Sequence, residues 1–341
     1  MATDAFLIPY EAALAGRPLS SEAAEQAFDA IMSGMVDHLQ IAAFLAALKV
    51  RGETADELYG AARVLRVKAK MVTAPAGAVD TAGTGGDFSH THNVSTAAAI
   101  VAAACGVPVA KHGNKAMSSR SGSADVLKAL GVNTDMTPAK AEACMRDVGI
   151  AFLMATHYHL ATAQVAPVRR AMAVRTIFNL LGPLTNPAGA KHQLIGVYDP
   201  LWLEPMALVA GRLGATRAWV VHGADNLDEI STTGPTEVAE WRAGEVRRFT
   251  IDARDFGVTR ATLAHLRGGE AKDNAAAIRR MLEGAPGPLR DITLVNAAAT
   301  LVVADAVSDL QAGLAKASTA IDSGAAARLL TRWANYGKEK E

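Results

Sequence analysis

Residues 80–96 read DTAGTGGDFSHTHNVST, a glycine-rich stretch between a short apolar run and an alanine-rich one. Gly83, Gly85 and Gly86 allow positive φ angles and leave no Cβ in the way of a ligand. Asn93 suits the cap of a helix expected from about Val94 to Ala104. A glycine loop that feeds a helix start gathers unpaired N–H groups at the positive end of a helix dipole, which favours phosphate. Thr84, Thr91, Ser95 and Thr96 add hydroxyl donors, and Asp87 adds a carboxylate able to face a metal or a ribose. Phe88 stands where a dinucleotide fingerprint needs its third glycine, and no G-x-x-x-x-G-K-[ST] run occurs. Neither a Rossmann site nor a P-loop is therefore indicated. Taken alone, the stretch is equally a tight strand-to-helix turn that binds nothing.

Further polar clusters shift that balance. Residues 111–119, KHGNKAMSS, combine two lysines, an amide and two serines, and Ser121 and Ser123 extend the donor set. Lysine charge beside hydroxyl and N–H donors suits a polyanion. Asp228 and Glu229 follow an apolar stretch ending near Val221, and adjacent carboxylates can hold a hard cation through oxygen. A pair of acids by itself is more often a solvated turn. His157 and His159 have a spacing compatible with zinc but no third ligand nearby, so they read as site lining or packing. Arg169, Arg170 and Arg175 lie on a helical stretch beside Pro167. One could fork onto a substrate carboxylate, the others serving surface or interdomain pairing. Residues 179–187, NLLGPLTNP, carry two Gly/Pro breaks and read as a turn-rich connector. Neither a Ser–His–Asp ordering nor a cysteine nucleophile motif nor a Cys/His metal box emerges. What remains is the positioning of a phosphate-rich substrate with a divalent cation.

The elements that must hold these clusters change character along the chain. Residues 1–75 read as helices only: one capped by Ser20 or Ser21 and closed by Gly34, one from Val36 to Lys49, and one opened by the Thr54–Glu57 capping box. Pro75 to Gly77 marks a boundary. From Val79 strands alternate with helices, with strands expected over 107–110, 150–154, 192–198 and 217–221 and helices over 139–148 and 201–213. A hairpin is expected around Ala243-Gly244. This pattern predicts an α/β fold with a mainly parallel sheet covered by helices and a small all-helical N-terminal domain. In such sheets ligands sit beyond the C-terminal ends of strands, and the clusters at 83–96, 111–123, 157–170 and 222–229 fall at such ends.

The 341 residues, half of them hydrophobic, suffice for a large core. Lys plus Arg number 34, as do Asp plus Glu, so no basic balance points to nucleic acid. Cys105 and Cys144 are the only cysteines and read as fillers in a reducing compartment. No membrane-length apolar run and no basic-then-apolar leader is seen, and a cytoplasmic protein with no membrane partner is expected.

The motifs GTGGD, NVST, KHGNKAMSS, PVRR, RTIFNLLGPLTNP, GVYD and LDEIS, in that order, resemble the anthranilate phosphoribosyltransferase family over essentially the whole chain. The resemblance implies transfer of the phosphoribosyl group of phosphoribosyl pyrophosphate (PRPP) to the amine of anthranilate, in tryptophan biosynthesis. It implies a homodimer, Mg2+, and the architecture shared with pyrimidine nucleoside phosphorylases, with a helical domain over about 1–75, helped by about 170–188, and an α/β domain over 76–341. By that resemblance Gly83, Gly86, Asp87, Thr91, Asn93, Val94, Ser95, Thr96, Lys111, Ser119 and Ser123 hold PRPP. Gly83, Asn114 and Arg169 hold anthranilate, and Ser95, Asp228 and Glu229 hold magnesium. The chain departs from the usual pattern at Phe88, His90 and His92 over the phosphates, and at Thr156, Leu160 and Thr162 along the acceptor wall. A nucleoside phosphorylase and a non-catalytic nucleic-acid-binding relative are the alternatives. The PVRR and LDEIS segments speak against the first, and the retained acidic pair and zero net charge speak against the second.

Overall fold

The computed structural model describes residues 4–86, 89–115 and 120–338. Four helices open the chain: α1 (Asp4–Leu14), α2 (Ser21–Met32), α3 (His38–Arg51) and α4 (Ala55–Val67). The sequence suggested three; α1 carries Pro9 inside it, a residue that normally argues against a helix interior. The others begin on caps. The Ser20 side chain accepts the Ala23 N–H, Asp37 that of Leu39, and Thr54 that of Glu57 within a complete capping box.

Seven strands follow among the described residues: β1 (Val79–Gly83), β2 (Val109–Gly113), β3 (Ile150–Met154), β4 (His192–Gly196), β5 (Arg217–Gly223), β6 (Thr236–Arg242) and β7 (Glu245–Ile251). They form one sheet in the order β3-β2-β1-β4-β5-β6-β7. The first five run parallel, and the β6–β7 hairpin adds an antiparallel edge. Ala243 and Gly244 both take positive φ, 53° and 91°, as a hairpin turn matched to strand twist requires. β3 is buried along its whole length, as a strand covered on both faces should be.

The helices of this part are α5 (Val94–Ala104), α6 (Ser123–Ala129), α7 (Pro138–Asp147), α8 (Ala155–Tyr158), α9 (Ala166–Met172), α10 (Ile177–Leu184), α11 (Leu203–Arg212), α12 (Leu263–Leu266), α13 (Ala271–Leu282), α14 (Pro288–Val303), α15 (Leu310–Asp322) and α16 (Ala325–Asn335). Two expectations are corrected. Residues 177–184 are helical despite Gly182 and Pro183, because Ile177, Leu180, Leu181 and Leu184 are all buried, and burial outweighs propensity. The second strand lies two to three residues later than expected, so Lys111 and His112 are strand residues paired to Phe152 and Leu153, not loop residues.

Among the described residues the two larger of three cores flank the sheet. One joins α5 and α14 to β1–β3. The other joins the helical bundle to α10, α11 and the opposite face of β4 and β5 through Ile195 and Val220, with Val197 just beyond β4. Arg66 of α4 ties the bundle down further, donating to the Leu184 and Leu213 carbonyls at 2.7 Å each. Among the described residues no helix is long and apolar enough to cross a membrane.

Candidate active site

Strand order reverses between β1 and β4, which places a crevice beyond their C-terminal ends. Gly83 and Gly196 face each other there as the last register pair. The chain around Asp228 lies directly against both. A Cβ on Gly83 would sit 2.3 Å from Asp228 Oδ2, and one on Gly196 would sit 1.6 Å from the Asp228 carbonyl oxygen. These glycines therefore serve close approach, whereas only Gly85 (φ 63°) and Gly86 (φ 75°) use positive φ. That corrects the conformational role expected for Gly83.

The acidic pair is fixed by backbone donors of the two phosphate-type segments. Gly85 N–H donates to Asp228 Oδ2 at 2.8 Å, and Ser95 N–H donates to Glu229 Oε1 at 3.0 Å. Lys111 Nζ, buried beneath them, donates to the Thr81 carbonyl at 2.6 Å and approaches Ser95 Oγ at 3.3 Å. Burial pulls the Lys111 ammonium below the usual lysine range, opposed by the carboxylates of Asp80, Glu229 and Asp228. Burial likewise raises Asp80 to about 6, opposed by Lys111. The Thr96 hydroxyl, in the first turn of α5, is buried without a hydrogen-bond partner among the described residues. An orphaned donor at a helix N-terminus is what a phosphate oxygen would satisfy.

Asn93 occupies the cap position of α5 but does not cap it. Its amide donates to the Ser121 carbonyl at 3.0 Å instead, joining the first loop to the second. In that second loop Ser123 Oγ donates to the Asn114 carbonyl at 3.2 Å.

The lining also carries residues of α9 and α10. Arg169 of α9 extends over the Phe178 ring at 5.3 Å, and burial lowers its pKa. His112 Nδ1 bonds the Gly182 carbonyl at 3.1 Å, leaving Nε2 buried without a partner among the described residues. Its ring lies 5.2 Å from that of His159. Burial first, and His159 second, hold His112 down to about 3. Arg175, outside α9, donates to the Gly86 carbonyl at 3.1 Å and stacks over Tyr198 at 4.2 Å.

Gly83, Gly86, Thr91, Asn93, Val94, Ser95, Thr96, Lys111, Asn114, Ser123, Arg169, Asp228 and Glu229 line this one cleft of about 380 Å³. Asp87 and Ser119 lie outside the described residues. His157 is not in the cleft; it faces Asp135 at the surface, 3.7 Å away. His159 lines the wall, whereas His222 bonds the Val197 carbonyl behind it. Sequence reasoning missed His112, Phe178, Gly182 and Pro183 as lining, because Gly182 and Pro183 sat in a stretch read as a connector and Phe178 just before it. The apolar i, i+3, i+4 spacing of Ile177, Leu180 and Leu181 was the available signal.

Among the described residues no group of three or more His, Cys, Asp or Glu gathers as a metal box. Two carboxylates and the Ser95 hydroxyl form an all-oxygen set. That suits magnesium, which prefers few protein oxygens and completes its shell with water and substrate phosphates.

Fold and cleft define a two-part glycosyl transferase. The family models agree: the helical bundle domain of the glycosyl transferase family matches residues 11–69, and its a/b domain matches residues 75–327. The chain is 58% identical over 317 residues to the anthranilate phosphoribosyltransferase of Rhodospirillum rubrum, covering 93% of this chain and 91% of that one. The crystal structure of the Thermus thermophilus enzyme of that name superposes with a TM-score of 0.91 at 42% identity, covering 96% and 98% of the two chains. The Saccharomyces cerevisiae enzyme in complex with PRPP and Mg superposes at 0.89 with 28% identity, covering 98% of each. The chain belongs to the anthranilate phosphoribosyltransferase family.

Proposed function

We propose that the cleft transfers the phosphoribosyl group of PRPP to the amine of anthranilate, releasing pyrophosphate, as a step of tryptophan biosynthesis. The observation that carries this reading is the meeting, in one crevice, of a glycine turn, a helix N-terminus, a buried lysine and a fixed acidic pair. The C1–O bond to pyrophosphate breaks, the C1–N bond to the amine forms, and the amine proton leaves to water. The positive end of α5 and its Thr96 hydroxyl face the phosphates beside the glycine turn, whose Gly85 N–H is taken by Asp228, with Lys111 adding charge from below. The Thr96 hydroxyl gains its missing partner. Ser95, Asp228 and Glu229 would hold magnesium, which when bound neutralises charge on the departing pyrophosphate. Arg169 pairs with the anthranilate carboxylate and Asn114 lies beside the ring, so the amine meets C1 from the face opposite the leaving group. An aromatic amine is neutral at physiological pH, so no strong general base is assigned.

The boundary near residue 75, with 170–188 contributing to the bundle, is part of this proposal; the shared packing of α10 with α4 supports it. A homodimer is also proposed, and the exposed Ile8 and Leu39 on α1 and α3, 69% and 80% exposed, support an apolar interface there. Light scattering reads that assembly directly. The setting proposed is cytoplasmic.

The test is turnover. Purified protein with magnesium, PRPP and anthranilate should extinguish anthranilate fluorescence and release one pyrophosphate per acceptor consumed. Unchanged fluorescence, or phosphorolysis of thymidine or uridine in its place, overturns the assignment.

A further inference from the structure

The loop 89–93, on the donor side of the cleft, is held by a segment nearly two hundred residues away. His92 N–H donates to the Leu266 carbonyl at 3.0 Å, and Gly268 N–H donates to the His90 carbonyl at 2.8 Å. Thr91 pairs antiparallel with Arg267. The fit leaves no slack: a Cβ on Gly268 would lie 2.9 Å from both the Thr91 carbonyl oxygen and Asn274 Oδ1. Held by this strap, the segment 266–274, His90 is kept at φ 52°, a conformation that residues other than glycine seldom adopt.

Asn274, in the first turn of α13, stands at the centre of these ties and is 1% exposed. Its Oδ1 accepts the Gly269 N–H at 2.8 Å, and its Nδ2 donates to Asn93 Oδ1 at 3.0 Å. Asn93 in turn donates through Nδ2 to the Ser121 carbonyl. A backbone N–H can only donate and a backbone carbonyl can only accept. Gly269 at one end and Ser121 at the other thus leave each amide a single orientation. The relay joins the strap, the loop before α5 and the loop before α6. Asn274 is not among the residues lining the cleft.

We propose that Asn274 is a positioning residue for the phosphoribosyl donor: through Asn93 it sets how the 89–93 and 121–123 loops face the phosphates, without touching the donor itself. The inference rests on the donor-site reading given above. It separates Asn274 from ordinary core polar groups, because its effect should fall on one substrate only.

The isosteric Asn274→Asp is the sharpest probe. It keeps the acceptor for Gly269 N–H but sets a carboxylate oxygen against Asn93 Oδ1, two acceptors facing each other. Steady-state kinetics with each substrate varied, calorimetric binding of PRPP with magnesium, and thermal unfolding are measured on the full chain. The expected result is a rise of about tenfold in both KM and Kd for PRPP, with KM for anthranilate within about twofold. Should Asn274→Asp fail to accumulate folded, Asn274→Ser gives the same readout, since serine is too short to reach Asn93. Donor KM and Kd unchanged in a folded variant, or equal increases for both substrates, overturn the proposal. Wild-type protein that binds no PRPP overturns the donor-site reading itself; wild-type binding with unaltered variant binding overturns only the role of Asn274.

Discussion

Arg169 and the Asp228–Glu229 pair contact different parts of the cleft lining, Phe178 for the first and the Gly85 and Ser95 N–H groups for the second, so their substitutions should fail in different ways. Arg169→Ala removes the cation above Phe178. It should raise KM for anthranilate roughly 10- to 100-fold, the range of a lost charged hydrogen bond, while KM for PRPP stays near its wild-type value. Equal loss for both substrates would contradict the acceptor role. Asp228→Asn combined with Glu229→Gln keeps acceptors for the Gly85 and Ser95 N–H groups but removes both charges. The magnesium concentration giving half-maximal rate should rise at least about tenfold; an unmoved requirement would place the cation elsewhere. His112 gives a pH signature. Its pKa is held down to about 3 in the fold, against an ordinary value near 6.5 when unfolded. Between those values the unfolded chain binds a proton that the folded chain does not. Stability therefore rises with pH through that window, and is lost as pH falls below about 6.5, by at most about 1.4 kcal/mol per unit. Denaturant titrations of His112→Asn between about pH 6 and about pH 4 should show a shallower slope than wild type. Equal slopes would assign the acid sensitivity to other groups. At this scale the gathering of the glycine, NVST and lysine segments in one cleft was legible because each is a short polar run at a strand end. The depth of Lys111 was not, since it depends on where β2 pairs with β3.

Local signals predicted elements well where the chemistry was closed within a few residues. The Thr54–Glu57 capping box is the clearest case, though its full role emerges only in the fold. Glu57 is completely buried and also accepts the Leu19 N–H at 2.9 Å and the Arg51 guanidinium at 2.5 Å. Glu57→Ala should cost about 3 kcal/mol, from removing the carboxylate beside a partly buried arginine and leaving two amides unpaired. Chemical denaturation would measure that loss, with both KM values unchanged at a temperature where the variant is folded. A loss below about 0.5 kcal/mol would show the network to be incidental. Asn93 shows the converse. Its position before α5 predicted a cap, but tertiary partners at Ser121 and Asn274 compete successfully for its amide. In α10 the Gly-Pro pair suggested a break, and the buried apolar face prevailed.

For the molecule as a whole, alternation of strands and helices after Val79 was enough to predict a mainly parallel sheet over a helical N-terminal part. Strand order was not readable, because nothing local specifies that β4 lies beside β1 with Gly196 opposite Gly83. That pairing creates the reversal point, and the Asp228 segment then closes over glycines that alone leave it room. The strap at 266–274 was equally hidden, its meaning lying in contacts with a loop far back in the chain. The central claim is that these remote segments form one cradle for a ribose with two anionic ends, its C1 open toward Arg169. A crystal structure of the protein with magnesium, PRPP and a non-reactive anthranilate analogue tests it most directly. The account predicts phosphate oxygens within hydrogen-bond distance of the Gly85–Gly86 turn, the first turn of α5 and Lys111, with the analogue's carboxylate on Arg169. Donor density away from that turn, or an analogue bound with its carboxylate remote from Arg169, would contradict it.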